Sequence, residues 1–413
     1  MFHSSRLACP SGYHSPLTTH HSPLTTRIDW WLVAASLGLV AVGVAAIQAA
    51  TEGPIGSGPA ARQLLWAGIA LMAMILAAWP SYRLAETLAY VAFALSILVL
   101  VAVFWTEPVN GAQRWLRLGP IGIQPSELAK LAFVAALARY LARREGSRRF
   151  GVVLLPILLA AVPMALILKQ PDLGTALLLA PVLLIMLFCA GVRTSHLAVI
   201  ILAVVAAAAL WVGIIYVQVF IVTSHPGVAA AGTIGMETSP AQWSRLRHFG
   251  LSPTQWSRIS AFLEQRDTGP KPQGEGYQLY QSKLMVALGG VFGSDDFADI
   301  HLPFDHTDFI FSVVAGRWGL VGASAVLLFF LVVLWRGLRV AVRVREPFGR
   351  LCAVGLVAML AGQGFINMAM TIGLAPITGV TLPFLSYGGS SLLTSFIAVG
   401  VLLNIARHDA PHD

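Results

Sequence analysis

Repeated apolar segments, each about as long as a bilayer is thick, constrain this chain more than any other feature. The sequence contains about ten of them, at residues 29–50, 62–80, 84–105, 125–142, 151–168, 173–191, 196–222, 308–334, 351–373 and 384–405. A helix of about 20 apolar residues spans the hydrocarbon layer and satisfies its own backbone hydrogen bonds there. The composition agrees, because 57% of the residues are hydrophobic and only 11% are charged. The sequence therefore predicts an all-α polytopic membrane protein with about ten transmembrane helices.

The arginines beside the apolar segments indicate which side of the membrane each loop faces. They concentrate around the loops after the even-numbered segments, at Arg83, Arg139, Arg143, Arg144, Arg148, Arg149, Arg193, Arg336, Arg339, Arg343, Arg345 and Arg350. Cytoplasmic loops carry the excess of Lys and Arg, so we expect these loops and both termini to be cytoplasmic. The long loop 223–307, between the seventh and eighth segments, then faces outward. The net charge of +8 thus reflects topology, and it does not indicate a nucleic-acid partner.

The predicted membrane domain covers residues 29–406, between tails at residues 1–28 and 407–413. The N-terminal tail is polar and repeats HSPLTT at 14–19 and 21–26, so we expect it to be disordered in the cytoplasm. It does not resemble a signal peptide, because the first apolar segment is long enough to span the membrane. The cysteines are Cys9, Cys189 and Cys352, and this spacing fits neither a disulfide framework nor a metal site.

Two charged residues open the fourth apolar segment, in the stretch QPSELAK. Pro125 suits the first turn of a helix, and Glu127 lies in that turn, near the positive end of the helix dipole. Lys130 follows three residues later on the same face. Charged groups within a span indicate function by default. The alternatives are a Glu–Lys pair that only stabilises the helix end and a lysine that extends to the interface.

Further polar groups lie in three stretches of the predicted outer face. Arg114, Trp115 and Arg117 suit either an anionic lipid head group or an interfacial anchor. In KQPDLGTA, Lys169 and Asp172 flank a tight turn, and Asp172 suits the N-cap of the sixth segment or a polar cavity. The third stretch, residues 367–393, carries Ser386, Tyr387 and Ser390 among prolines and glycines at membrane depth. Such broken backbone favours a cavity, although small residues also mediate helix packing.

The stretch LPFDHTDFIF, residues 302–311, places three ionisable groups directly before the eighth segment. Thr307 or Asp308 is predicted to cap that helix, but a cap does not account for Asp305 and His306 as well. Asp308 would lie where water meets hydrocarbon. Desolvation there raises a carboxyl pKa, while the helix N-terminus lowers it, and the sequence does not decide between them. A carboxylate poised in this way can serve as a general base.

These motifs together resemble the SEDS family, the proteins of shape, elongation, division and sporulation. The matching blocks follow the family order and span nearly the whole chain from Asp29: NGAQRWLRLG with QPSELAK, QPDLGTA, GYQLYQSK with GG, HTDFIF, and TIGLAPITG with LPFLSYGGSS. The first and last blocks favour the RodA-like branch over the FtsW-like branch. The resemblance implies ten spans, with the long extracytoplasmic loop between helices 7 and 8.

The resemblance also implies an activity and its partners. SEDS proteins are peptidoglycan glycosyltransferases that polymerise lipid II on the outer face of the bacterial inner membrane, beside a class B penicillin-binding protein that cross-links the strands. Asp308 falls on the essential loop aspartate of the family, and we expect it to be the general base. Polyprenyl pyrophosphate would leave, its charge offset by Arg114, Lys130 and a divalent cation such as Mg²⁺ or Mn²⁺. The expected substrate-binding residues are Arg114, Glu127, Lys130, Lys169, Asp172, Gln281, Lys283, His306, Thr307, Ser386, Tyr387 and Ser390.

The chain departs from the family pattern at two places. Phe304 stands where the family has an acid after Leu-Pro, and Gly316, Arg317 and Trp318 replace an acidic pair that follows HTDFIF. Residues 223–275 also match poorly. These departures leave open a non-catalytic scaffold for a penicillin-binding protein. A lipid II flippase is the other alternative, because Lys130 within a span and the interrupted spans suit a translocation path.

Overall fold

The computed structural model describes residues 28–51, 58–107, 113–118, 121–144, 151–202, 258, 275–294 and 307–408. The predicted N-terminal tail, apart from residue 28, lies outside the described residues. So do most of the seventh apolar segment, most of the long loop 223–307 with His306, Phe304 and Asp305, and the last five residues.

Helices dominate the described residues, as the apolar segments predict. Their bounds are α1 Trp30–Thr51, α2 Gly58–Ala78, α3 Tyr82–Ala102, α4 Pro125–Ala142, α5 Gly151–Lys169, α6 Leu173–Cys189, α7 Glu275–Leu288, α8 Ile310–Arg343, α9 Pro347–Thr371 and α10 Gly389–His408. Residues 194–202 are also helical, and the 3-10 turn Val103–Trp105 extends α3. Seven helices within the described ranges are long and apolar enough to cross a membrane: α1, α2, α3, α5, α8, α9 and α10. The predicted polytopic helical membrane fold is confirmed.

The centre of the bundle is built on α9 and α10, most of whose residues are buried. α9 packs against α4, α6 and α8, while α10 packs along α2. α1 packs along α8, and α3 along α4. The outer helices expose Leu, Ile, Val and Phe side chains, which suits contact with lipid tails. The described ends of α3, α5 and α9 meet the starts of α4, α6, α8 and α10 at one end of the bundle, which we call the cavity end.

Three local features differ from the prediction. Residues 116–118 and 121–123 form an antiparallel hairpin, with Arg117 opposite Gly122, inside a stretch predicted as loop. The N-cap position of α8 is held by Phe309, one or two residues after the expected Thr307 or Asp308, and Phe309 makes no side-chain capping hydrogen bond. α8 also continues past the predicted segment to Arg343, and within this extension Arg336 forms an ion pair of 2.6 Å with Asp29.

α8 is broken at Gly319, where the backbone has φ 61° and ψ −155°. The amides after the break donate to the segment that follows α7, from Leu320 N to Gly290 O (2.9 Å) and from Val321 N to Val291 O (3.1 Å). In return, Ser294 N donates to Gly316 O (3.1 Å). The broken helix therefore keeps its hydrogen bonds by pairing with another segment, as a membrane protein requires.

We predict that Gly319→Ala destabilises the protein. Only glycine adopts this backbone region readily, and other residues there cost about 1–3 kcal/mol. A Cβ on Gly319 would also lie 2.5 Å from Gly293 N and Val291 O. Gly68→Ala is the matched control, because it lies in helix α2 with open space around its Cβ position. Thermal unfolding in detergent should show a lowered midpoint for Gly319→Ala and an unchanged or slightly raised midpoint for Gly68→Ala. Equal midpoints for the two variants would contradict the prediction.

Candidate functional site

A cavity of about 1100 Å³ opens at the cavity end of the bundle. One wall comes from α2 and is mostly apolar, with Leu65, Trp66 and Ile69 beside the single charged residue Arg62. The opposite side is polar and is lined by Arg114, Gln124, Arg258, Thr307, Asp308, Thr381, Tyr387, Ser390 and Ser391. Five of the predicted site residues therefore line one cavity: Arg114, Thr307, Asp308, Tyr387 and Ser390.

Asp308 shares one corner of this cavity with Arg258 and Gly379. A Cβ added to Gly379 would lie 3.6 Å from Asp308 Oδ2 and 3.3 Å from Arg258 Nη1. The carboxylate and the guanidinium thus face the same point of the wall, which is free of a side chain. Gly379 has φ 73°, a conformation that glycine adopts at no steric cost. This turn therefore leaves room for a substrate group beside Asp308.

Arg114 joins this corner to the turn between α5 and α6. Its Nε donates to Gln170 O at 2.7 Å, and its Nη2 donates to Pro171 O. The pKa of the Arg114 guanidinium is lowered, mainly by burial. The carboxylates of Asp172 and Asp308 oppose this shift, and the positive charge of Arg258 adds to it. Arginine remains charged even so. The polar side of the cavity therefore presents two guanidinium groups around one carboxylate.

Asp172 supports the cavity wall from behind. Its Oδ1 accepts from Thr175 N at 3.2 Å, so it caps α6 as the sequence predicted. Its Oδ2 accepts from Gln124 Nε2 at 3.0 Å and from Ser126 Oγ at 3.4 Å. Gln124 N in turn donates to Ser390 Oγ at 2.9 Å. The start of α6 is thereby connected to the starts of α4 and α10.

The Glu127–Lys130 pair lies below the cavity floor. Lys130 Nζ is 2.8 Å from Glu127 Oε1 and 3.0 Å from Gln363 Oε1, and the residue is only 1% exposed. Gln363 Nε2 then contacts Thr381 O (3.2 Å) and Ser391 Oγ (3.3 Å), and both of these residues line the cavity. The predicted pairing is confirmed, and the lysine does not extend to the interface. Its connection to the cavity runs through Gln363.

The remaining predicted site residues do not line the cavity. Lys169 is exposed at the end of α5, and Lys283 is exposed on α7, close to Gly373. Gln281 donates to Tyr277 Oη at 2.6 Å. Ser386 is buried, accepting from Leu382 N at 2.8 Å and, through its carbonyl, from Gln63 Nε2 at 3.0 Å. Gln281 and Ser386 thus have local structural partners.

Sequence reasoning missed Arg258, Gln63, Gln363 and Asn367. Arg258 lies in the poorly matching stretch 223–275, and nothing in its local pattern sets it apart. The three amides lie in apolar helices, and all three are buried. A buried amide in a membrane helix needs a hydrogen-bond partner. The presence of Asn or Gln within an apolar segment was therefore the signal that could have identified these three residues.

The donor set of the cavity does not suit a divalent cation held by protein alone. Such a cation needs several oxygen or nitrogen ligands of suitable charge. Among the described residues, no group of three or more His, Cys, Asp and Glu could hold a metal. Asp308 also shares the cavity with the guanidinium groups of Arg62, Arg114 and Arg258, which favour an anion. The cation expected from the sequence therefore stays a prediction.

Comparison with known proteins finds a matching family and several similar proteins. Residues 25–410 match the FTSW_RODA_SPOVE family, described as "Cell cycle protein". Stage V sporulation protein E of Bacillus subtilis is 34% identical over 361 residues, 84% of this chain and 87% of that protein. The probable peptidoglycan glycosyltransferase FtsW of Alkalilimnicola ehrlichii is 36% identical over 92% of this chain and 89% of its own.

A RodA protein and a solved structure are also similar. Peptidoglycan glycosyltransferase RodA of Treponema pallidum is 30% identical over 91% of this chain and 97% of its own. A chain from a peptidoglycan synthase complex, which coordinates polymerization and crosslinking, superposes with a TM-score of 0.69. It is 29% identical, and the match covers 94% of this chain and 99% of that chain.

We predict that breaking the buried ion pair destabilises the protein more than removing it. Lys130→Met leaves the Glu127 charge unpaired in the bundle, which typically costs about 3–5 kcal/mol. The double variant Glu127→Gln/Lys130→Met removes both charges and should recover part of that loss. Thermal unfolding of the two single variants and the double variant measures the coupling. Additive losses would mean that the pair contributes no coupling energy.

Proposed function

The chain belongs to the SEDS family of FtsW, RodA and SpoVE proteins, and we propose that it is a peptidoglycan glycosyltransferase that polymerises lipid II with Asp308 as its general base. FtsW and RodA relatives that match most of the chain carry the name peptidoglycan glycosyltransferase. One observation carries the assignment of the base: a carboxylate shares a cavity with the guanidinium groups of Arg62, Arg114 and Arg258, opposite a mostly apolar wall.

The cavity has the chemistry that a lipid-linked sugar pyrophosphate requires. Its guanidinium groups match the phosphate oxygens of a donor, since arginine binds phosphate in a bidentate manner. The apolar wall of Leu65, Trp66 and Ile69 suits the first isoprenoid units of the tail. Hydroxyl groups of Thr381, Ser390 and Ser391 suit the sugar. This combination supports an amphipathic, anionic substrate.

The proposed reaction is a single displacement with inversion. Asp308 takes the proton of the acceptor's sugar 4-hydroxyl while that oxygen attacks the donor's anomeric carbon. The bond from that carbon to the pyrophosphate oxygen breaks, and polyprenyl pyrophosphate leaves with the electron pair. Arg114 and Arg258 stabilise the negative charge that develops on the leaving group. General-base assistance contributes about 10²–10⁴-fold.

Lys130 has a supporting role in this proposal. The sequence suggested that its charge offsets the leaving group, but Lys130 is 1% exposed and bonded to Glu127 and Gln363. We therefore assign it to the support of the cavity wall through Gln363. None of the proposed steps uses a divalent cation. A cation in the substrate-bound complex stays a prediction.

The cellular setting is also proposed. The cavity end is the outer face of the bacterial inner membrane, both termini are cytoplasmic, and lipid II enters from the membrane. A class B penicillin-binding protein is the proposed partner, supported by the similarity to a chain of a peptidoglycan synthase complex. Relatives named FtsW and RodA both match well, so the RodA-like assignment remains a preference.

We predict that Asp308→Asn abolishes polymerisation. The amide cannot accept the proton, so the rate should fall by about 10²–10⁴-fold. The measurement is chain growth from labelled lipid II by the purified protein with its penicillin-binding protein. Glu107→Gln is the control, because it neutralises an exposed carboxylate that does not line the cavity. Growth at the wild-type rate by Asp308→Asn would reject the base. Failure of the wild-type pair to polymerise would favour the flippase or scaffold instead.

Cysteine labelling tests the proposed orientation. In a background with Cys9, Cys189 and Cys352 replaced by serine, Glu107→Cys should react with a membrane-impermeant maleimide in intact spheroplasts. Arg343→Cys, at the other end of the bundle, should react only after permeabilisation. Both parent residues are exposed in the structure. The opposite labelling pattern would place the cavity on the cytoplasmic side and overturn the proposed reaction with it.

A further inference from the structure

Asn367 joins the two backbone segments that flank the Asp308 carboxylate. Asn367 lies on α9, one helical turn after Gln363, and is 0% exposed. Its Nδ2 donates to Asp308 O at 2.8 Å and to Val380 O at 2.7 Å. One side chain therefore connects the segment before α8 to the non-helical segment between α9 and α10.

The orientation of this amide is fixed by its partners. An asparagine amide carries two N–H donors on one side and a carbonyl acceptor on the other. Both donors are used by the two carbonyls, while Oδ1 is buried with no hydrogen-bond partner in the described part of the chain. Reversing the amide would point its oxygen at two carbonyl oxygens. Only the observed orientation holds the two segments together.

The two segments are those that define the corner of the cavity. Asp308 belongs to the first, and Gly379, next to Val380, belongs to the second. The Cβ position of Gly379 lies 3.6 Å from Asp308 Oδ2, so the carboxylate lies over the turn that Asn367 holds from behind. Asp308 precedes α8, whose N-cap position is held by Phe309. The described contacts that fix its main chain therefore include a side chain from a different helix.

We propose that Asn367 is a positioning residue for the reaction. It does not line the cavity, and it acts by holding the main chain of Asp308 against the 379–380 turn. This inference rests on the proposed function, in which Asp308 is the general base. A base displaced by about 1 Å typically loses about 10²-fold in rate. Loss of Asn367 should therefore lower kcat, with little effect on KM, because the groups proposed to bind substrate remain in place.

The chain provides a matched control in Asn404. Asn404 lies near the end of α10, is 2% exposed, and donates from Nδ2 to Ala77 O at 2.8 Å and to Pro80 O. Like Asn367, it donates to two backbone carbonyls, here at the opposite end of the bundle, and its Oδ1 also accepts from Tyr82 N at 3.0 Å. Asn367→Leu and Asn404→Leu make the same change in shape, and each removes two buried hydrogen bonds to backbone carbonyls. Both should lower the thermal unfolding midpoint.

The experiment compares polymerisation by the two variants in complex with the penicillin-binding protein. Asn367→Leu should lower kcat by about 10- to 100-fold at unchanged KM for lipid II, whereas Asn404→Leu should keep the wild-type kcat. An unaltered kcat in folded Asn367→Leu, or equal losses in both variants, would overturn the inference. If Asn367→Leu is not recovered folded, Asn367→Ser keeps one donor and should show an intermediate kcat; full activity in that variant would overturn it too. The wild-type control separates these outcomes, since its own failure to polymerise would reject the proposed function instead.

Discussion

The non-helical backbone between α9 and α10 is the constraint on which the site depends. Residues 372–388 leave the helical pattern inside a membrane bundle, where an unsatisfied backbone group costs several kcal/mol. Side chains of α2 and α9 satisfy these groups: Gln63 donates to Ser386 O, Gln363 to Thr381 O, and Asn367 to Val380 O. The same segment supplies Thr381 and Tyr387 to the cavity. The contacts that make the broken backbone tolerable therefore also shape the site.

α9 organises these contacts along one stripe. Gln363, Asn367 and Thr371 are four residues apart, so they lie on the same face of the helix. Gln363 meets Lys130, Asn367 meets the main chain of Asp308, and Thr371 O accepts from Ser282 Oγ at 2.8 Å. The Ser282 Oγ is also 2.6 Å from the Oγ of Ser312, in the first turn of α8. One helix thus fixes the charged pair, the proposed base and the outer helix α7 relative to one another.

The sequence predicted what local spacing determines. The lengths of the apolar segments predicted the helices. The residues Pro125 to Glu127 predicted both the start of α4 and the place of Glu127 in its first turn. The Glu127–Lys130 pair and the Asp172 cap followed from the same short-range rules. Contacts between distant segments were not predictable, since Asn367 binding Asp308 or Gln63 binding Ser386 depends on tertiary packing. The Gly319 break was missed for the same reason, because the amides after it pair with Gly290 and Val291. Lys169 does not line the cavity, because nearness in sequence to Asp172 does not fix the direction of its side chain.

The distribution of charge explains why the carboxylate is kept at this boundary. Two guanidinium groups and one carboxylate leave the polar side of the cavity with a net positive charge, which attracts an anionic ligand. The carboxylate is compensated by the same arginines that would bind the pyrophosphate, so its burial costs less than that of an isolated charge. The second charged pair, Glu127 and Lys130, is neutral overall and lies behind Gln363. The excess positive charge of the cavity therefore lies where a ligand can reach it, beside a mostly apolar wall that admits a lipid tail.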